Sequence, residues 1–524
     1  MNKVTGSTLV RFLPAALLAL VVALPLLIMF GSNGATMEEG SLLIGGELVL
    51  KGQIPNADFE HLYGPGDLWT LAGAFAVFGV SITVERLVGL LYRILLLWGL
   101  YRIGKSVSPA VAFGSALLGW ILIIPFGLIA YSWIAAISFA VAALSIAISE
   151  TVTKRQWFIS GVLAGMALLY RADLILVIVV GLGWLAWQSN KEHRMAAIKG
   201  LALGVSPYLL HVVIAGPWTV IEGMFIDPVI RLRSGRTLPV PPNWDDSSDF
   251  FARLDDLVTS TDPGFGFGHA AQLSLLFWTL LIAAAISLVL AWRSKRTALI
   301  AFSLFAVASI PQLLQRPSPN HIRFVGVIIF TSLLVSIANH LKDRVSGTVV
   351  SIALFVLLVV VAPYHIGRVS ADVYGQVFSS EEQLTLEHEG RSIPVEDNLY
   401  RQEVENLFKE LDSVAQSGES VFIGPTDLTR TNYSETWLYH LLPEYVPGSY
   451  HLEMNPGLAN REGGRLAEDV ENTDWVILTS RFDGWNEPNS SVNAGSFEAG
   501  KVVNNHFCLV YESTNYSLFQ FCSN

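Results

Sequence analysis

The sequence predicts a polytopic α-helical membrane protein, with about eleven transmembrane helices, an inside N-terminus and a C-terminal extracytoplasmic α/β domain. Three observations predict it. Apolar residues gather in blocks of roughly 17–25, the length that crosses a ~30 Å hydrocarbon core. Of 524 residues, 52% are hydrophobic and 15% charged, with mean hydropathy +0.48, too little charge to keep a chain of this length in solution. Past residue 364 the blocks stop, and shorter alternating and helical patterns replace them.

Lys3 and Arg11 precede an apolar run from Leu13 to Phe30. It is longer than the ~7–15 residues of a secretory h-region and carries no cleavage site, so it reads as an uncleaved first helix. The candidate spans are 9–30, 84–104, 108–125, 127–149, 157–170, 173–188, 196–215, 271–292, 298–314, 323–340 and 346–364. The short loops with Arg102/Lys105, Lys154/Arg155, Lys191/Arg194, Arg293/Lys295/Arg296 and Lys342/Arg344 are all basic, which places them in the cytoplasm. An Arg–Asp pair is costly at membrane depth, so Tyr170-Arg171-Ala172-Asp173 is placed as a tight outer-face turn. The predicted division is a membrane domain, 1–364, with long outer loops 31–83 and 216–270, and an outer domain, 365–524. Pro239, Pro241, Pro242, Trp244, Asp245 and Asp246 suit a second loop lying over the membrane surface.

In the tail, Glu403 to Gln416 has helical apolar spacing, and Ser420–Ile423 and Asp474–Thr479 read as strands. His506–Glu512 and Tyr516–Cys522 alternate around Ser513-Thr514-Asn515 as a hairpin, which brings Cys508 near Cys522. These two cysteines either form a disulfide, in an oxidising compartment, or sit as two small buried apolar residues. The formal net charge of −11 gathers in the outer loops and tail, and nothing in it points to a nucleic-acid partner. No His/Cys/acid spacing marks a metal site, so no cofactor is called for, and a need for a divalent cation stays open.

The first outer loop carries the most chemistry. Glu38, Glu39 and Asp58 sit just beyond the first helix, at the lipid–water boundary. A carboxylate there can take the proton of a hydroxyl as that oxygen forms a new bond. Cationic side chains help a phosphate to depart by holding its charge, and Arg86, Arg171, Arg316, His321 and Arg323 all fall near the outer face. The bland readings are a solvated loop for the acids, snorkelling for Arg86 and a local pair with Asp173 for Arg171. Arg231, Arg233 and Arg236 would meet either substrate or anionic lipid.

The stretch EEGSLLIGGELVLKGQIPNADFEHLYGPG, residues 38–66, resembles the first loop of C-type glycosyltransferases. That superfamily includes protein O-mannosyltransferases, lipid A aminoarabinose transferases and bacterial family-39-like proteins. The resemblance spans roughly the first 345 residues in architecture, but only the first loop in motif. It implies a polyprenyl-phosphate sugar donor, inversion at the anomeric carbon and a catalytic acid in this loop. It further implies a multi-pass protein of the inner (plasma) membrane, with the tail periplasmic or extracellular and a glycan, lipid or protein as acceptor. Glu38-Glu39 stands where the family has Asp-Glu, so Glu38, Glu39 and Asp58 all remain candidates for the base. The rival readings are a catalytically silent cell-envelope assembly protein and a transporter. The mid-span segments, nearly free of charge, speak against transport.

Overall fold

On the helix Ile82–Lys105 the apolar side chains Leu87, Leu91, Ile94 and Trp98 recur at three- and four-residue steps, and all four are exposed. Glu85, Arg86 and Arg93 on the same helix are buried. This inversion of the soluble pattern suits a hydrocarbon surround, which tolerates apolar surface and no unpaired charge.

The computed structural model of the protein describes residues 29–32, 34, 37–149, 151–238, 270–362, 384–395, 397–487 and 489–522. Most of the candidate span 9–30, the Pro- and Trp-rich part of the second loop and residues 363–383 lie outside them. In chain order the helices are α1 (Glu38–Leu50), α2 (Gly66–Phe78), α3 (Ile82–Lys105), α4 (Pro109–Ile123), α5 (Ser132–Ala147) and α6 (Lys154–Tyr170). Next come α7 (Ile175–Gln188), α8 (Lys191–Val205), α9 (Pro207–Ala215), α10 (Pro217–Ile221), a π-helical stretch (Glu222–Arg231) and α11 (Leu232–Arg236). The last of the membrane part are α12 (Ala270–Ser294), α13 (Thr297–Ala308), α14 (Ile310–Gln315), α15 (Pro319–Leu341) and α16 (Gly347–Val361). Six described spans are long and apolar enough to cross a membrane: Ile82–Lys105, Pro109–Phe126, Lys191–Ala215, Ser274–Ser294, Thr297–Gln315 and Pro319–Leu341.

Helix starts follow local chemistry. The side chains of Ser81, Ser108 and Ser346 accept from the third backbone N–H beyond them, and Thr153 with Gln156 closes a capping box. The first loop is not irregular throughout, since α1 and α2 fall within it. At 13 residues each they reach only ~20 Å by the 1.5 Å rise, too short for a simple crossing. The expected turn at Arg171 is a 3-10 turn, Ala172–Leu174, between α6 and α7.

The tail holds a hairpin, β1 (Leu384–His388) with β2 (Arg391–Val395), then α17 (Asn398–Val414) and β3 (Ser420–Pro425). After these come α18 (Trp437–Leu441), β4 (Val446–Pro447), α19 (Leu466–Glu471), β5 (Trp475–Thr479), α20 (Glu498–His506), β6 (Phe507–Glu512) and β7 (Tyr516–Phe521). The five-stranded sheet has the order β4-β3-β5-β7-β6, with β3 parallel to β4 and β5, and β7 antiparallel to β5 and β6. Val404, Leu407, Phe408 and Leu411 of α17 are buried, the stripe that the spacing predicts. Cys508 and Cys522 are joined as a disulfide, with Cα atoms 5.3 Å apart.

The tightest described helix pair is α6 with α8. Gly161 and Gly165 on one face Gly200 and Gly204 on the other, and a Cβ on Gly200 would stand 2.1 Å from the Phe158 carbonyl oxygen. Lipid offers no hydrophobic gain on pairing two helices, so close backbone approach across small residues supplies the attraction. Gly200→Ala is expected to lose about 1–3 kcal/mol through overpacking, measured as lowered thermal stability in detergent. Gly73→Ala, where a Cβ meets nothing within 4 Å, is the matched control and should be near neutral.

Candidate active site

Successive residues of an α-helix point ~100° apart, so Glu38 and Glu39 at the start of α1 cannot face the same surroundings. Glu39 turns inward and is fully buried. Arg86 on α3 grips both its oxygens, Nε to Oε1 at 2.7 Å and Nη2 to Oε2 at 3.0 Å. The remaining Arg86 nitrogen, Nη1, donates to the carbonyls of Phe30 and Ser32 at 2.6 and 2.7 Å. Both charges are therefore paired and hydrogen-bonded, the condition under which a buried ion pair is tolerated.

The outer domain holds α1 from the other side. Thr436 Oγ1 donates to the Met37 carbonyl at 2.6 Å, and a Cβ on Gly40 would lie 2.3 Å from the Trp437 backbone nitrogen. At the far end of α1, buried Glu47 accepts from Arg391 Nη2 at 3.0 Å and pairs with Lys51 at 3.1 Å. Burial works to raise its pKa, but His440, Arg391 and Lys51 outweigh that and hold the carboxyl at about 2. The helix is clamped along its length.

Glu38 lines a cavity of about 960 Å³ that opens between α1, the turn after α6, α11, the start of α15 and the outer domain. Burial pushes its carboxyl above the usual glutamate range, and the nearby charges of Glu453 and Glu39 add to this. Glu453, from the outer domain, also lines the cavity and is pushed up by burial. Glu60 is tied to His451 and, at 3.2 Å, to Asn455 Nδ2. His61 Nε2 lies 3.1 Å from Asp67 Oδ1.

Cations line the same space. Arg171 makes a two-point pair with Asp173 at 3.0 and 2.6 Å and sits over the Tyr63 ring at 4.4 Å. Arg316 pairs with Glu487, and Arg236 donates to Asn455 Oδ1 at 2.9 Å and to the Tyr433 hydroxyl. His321 has its Nδ1 2.8 Å from Ser318 Oγ. Arg233 lines the cavity, is exposed and joins no ion pair among the described residues. No group of three or more His, Cys, Asp or Glu among the described residues is arranged to hold a metal.

The structure thus brings Glu38, Arg171, Arg316 and His321 to one cavity. Glu39 and Arg86 meet each other behind it. Asp58 accepts from the Ile54 backbone N–H at 2.7 Å, shaping its own turn away from the lining. Arg323 is buried within α15 and also stays off the lining. The sequence reading missed Glu453, Tyr433 and Trp485, because no periodicity tells which tail segment folds over the first loop. Arg233 stood in the arginine run 231–236, with no sign of which member would be free. Arg86→Met should destabilise the protein by about 3–5 kcal/mol by stranding Glu39, while Glu39→Met with Arg86→Met recovers most of it. Unfolding in detergent across that double-mutant cycle checks this.

A family model described as dolichyl-phosphate-mannose-protein mannosyltransferase matches residues 63–218, under half of the chain and beginning after Glu38, Glu39 and Asp58. No curated protein is significantly similar in sequence. Two crystal structures of ArnT from Cupriavidus metallidurans share the architecture over almost the full length. The one bound to undecaprenyl phosphate superposes with TM-score 0.55 at 13% identity, covering 97% of this chain and 98% of that one. The apo form gives 0.53 at 12%, with 96% and 97% covered. At such identity the likeness speaks for fold alone: this chain shares the architecture of those two structures, a polytopic helical membrane protein with a C-terminal sheet domain.

Proposed function

We propose that the protein is a glycosyltransferase that moves a sugar from a polyprenyl-phosphate donor to the hydroxyl of an extracytoplasmic acceptor, within this cavity. The observation that carries the reading is a half-buried carboxylate, Glu38, sharing a cavity with Arg171, Arg233 and His321 at the junction of membrane helices and outer domain. The matched family is described by a dolichyl-phosphate-linked sugar, and the ArnT crystal held undecaprenyl phosphate, so a lipid phosphate suits the cationic side. Phe225 and Val229 line the cavity while about half of each stays exposed, which gives a long apolar tail a way out toward lipid.

In this reading Arg233 and Arg171 hold the donor phosphate, and Arg316 and Arg236, tied to the outer domain, close the cavity around it. Glu38 takes the proton of the acceptor hydroxyl as its oxygen bonds to the anomeric carbon. The bond from that carbon to the phosphate oxygen breaks, and polyprenyl phosphate leaves with its charge held by the arginines. A glutamate lifted by burial is a stronger base nearer to working pH than a solvated one. The basic short loops support an outer face for the cavity and the tail, with the protein in the inner membrane.

Transfer from radiolabelled polyprenyl-phosphate sugars by the purified chain in nanodiscs tests this. Glu38→Gln should lower kcat by about 10²–10⁴-fold, and Asp58→Asn by far less. Full activity of Glu38→Gln would remove Glu38 from the role of base. Activity of the wild type should fall on the acid side with an apparent pKa above the ordinary glutamate value. Glu453→Gln takes away a negative neighbour that raises Glu38, so that limb should move to lower pH.

A further inference from the structure

The cavity has a wall that the donor does not need. It comes from the outer domain, and its most conspicuous member is Trp485, which lines the cavity with 44% of its surface exposed. The domain's core already has its tryptophans in Trp475 and Trp437, 1% and 3% exposed, so Trp485 is not there to fill space. Its indole meets Tyr433 at 5.5 Å with the planes 79° apart, and Arg236 lies over the Tyr433 ring at 5.1 Å, which fixes the aromatic pair. Beside it Asn486 is exposed and lines the cavity, its Oδ1 oriented by Arg430 Nη2 at 2.9 Å.

The backbone behind this wall is strained at three positions. Tyr433 has φ 65°, Thr431 has φ 44°, and Met454, between the lining residues Glu453 and Asn455, has φ 52°. Positive φ is a real outlier for a β-branched threonine and unfavourable for the others, and such strain gathers where a ligand is held.

We propose that the acceptor is a saccharide and that Trp485, with Asn486, forms its subsite; this rests on the glycosyl-transfer reading and names the acceptor class within it. A sugar ring has an apolar face of C–H groups and a rim of hydroxyls, which fits an open indole face beside a planar amide. A phosphate or lipid headgroup would want cations, but the outer-domain residues on this wall, among them Tyr433, Glu453, Trp485, Asn486 and Glu487, include none. Trp485, Glu453 and Glu38 line one cavity, so a ring seated on the indole shares that space with the base.

The test uses the full chain in nanodiscs on a printed array of hexose and N-acetylhexosamine oligosaccharides, with unglycosylated peptides and anionic vesicles as further probes. Wild type should bind at least one oligosaccharide class. Trp485→Ala should weaken that binding by roughly tenfold or more, and Trp485→Phe should restore most of it. In transfer kinetics with the bound oligosaccharide, Trp485→Ala should raise the acceptor KM. Binding of peptides or vesicles alone, or oligosaccharide binding indifferent to Trp485→Ala, overturns the proposal. Binding of polyprenyl-phosphate sugar is measured separately. Its absence in the wild type would defeat the glycosyl-transfer reading itself, whereas donor binding without saccharide binding defeats only the acceptor assignment.

Discussion

The Glu39 carboxylate is held at both oxygens by Arg86, and that pair sets the rotation of α1 about its own axis. Because helix geometry separates neighbours by ~100°, burying Glu39 toward α3 leaves Glu38 no choice but the other side. Breaking such a pair leaves a charge stranded in low dielectric, at a cost of several kcal/mol, so the rotation is well defended. The outer domain then closes on α1 through Thr436, Trp437 and Arg391, and this fixes the helix along its axis as well. Two neighbouring acids end in opposite settings, one locked in an ion pair and one facing the cavity.

The cavity exists only because two differently built bodies share it. The membrane part supplies arginines at the ends of helices, Arg171, Arg236 and Arg316. The outer domain supplies aromatic and amide side chains on a strained backbone, together with the second carboxylate, Glu453. Several arginines are already bonded across the junction, Arg316 to Glu487 and Arg236 to Asn455 and Tyr433, which ties cavity shape to domain docking.

Much of the fold was legible. Long apolar blocks and basic short loops mark the helices of the membrane part, because hydrocarbon leaves the backbone no alternative. The helix over Val404–Leu411 and the final hairpin followed from simple periods. The first-loop helices α1 and α2 were missed because an apolar run of 13 residues satisfies neither the spanning rule nor the pattern of a soluble loop. At the site, Asp58 and Glu39 read from sequence as the first choices for the base, with Glu38 behind them, and only the partner Arg86, 47 residues away, shows which glutamate is tied up. Asp58 is no better placed than Glu39, since its carboxylate serves the Ile54 backbone N–H. The contributions of Glu453 and Trp485 depend on how the tail docks, which a single sequence does not encode in any local period.

The most direct measurement is a density map of the full chain in nanodiscs with bound polyprenyl phosphate. The phosphate should lie in the cavity, within hydrogen-bond reach of Arg233 or Arg171, on the side that Glu38 faces. A phosphate seated beside Arg86 with the Glu39 pair opened, or one outside the cavity near Asp58, would contradict the account.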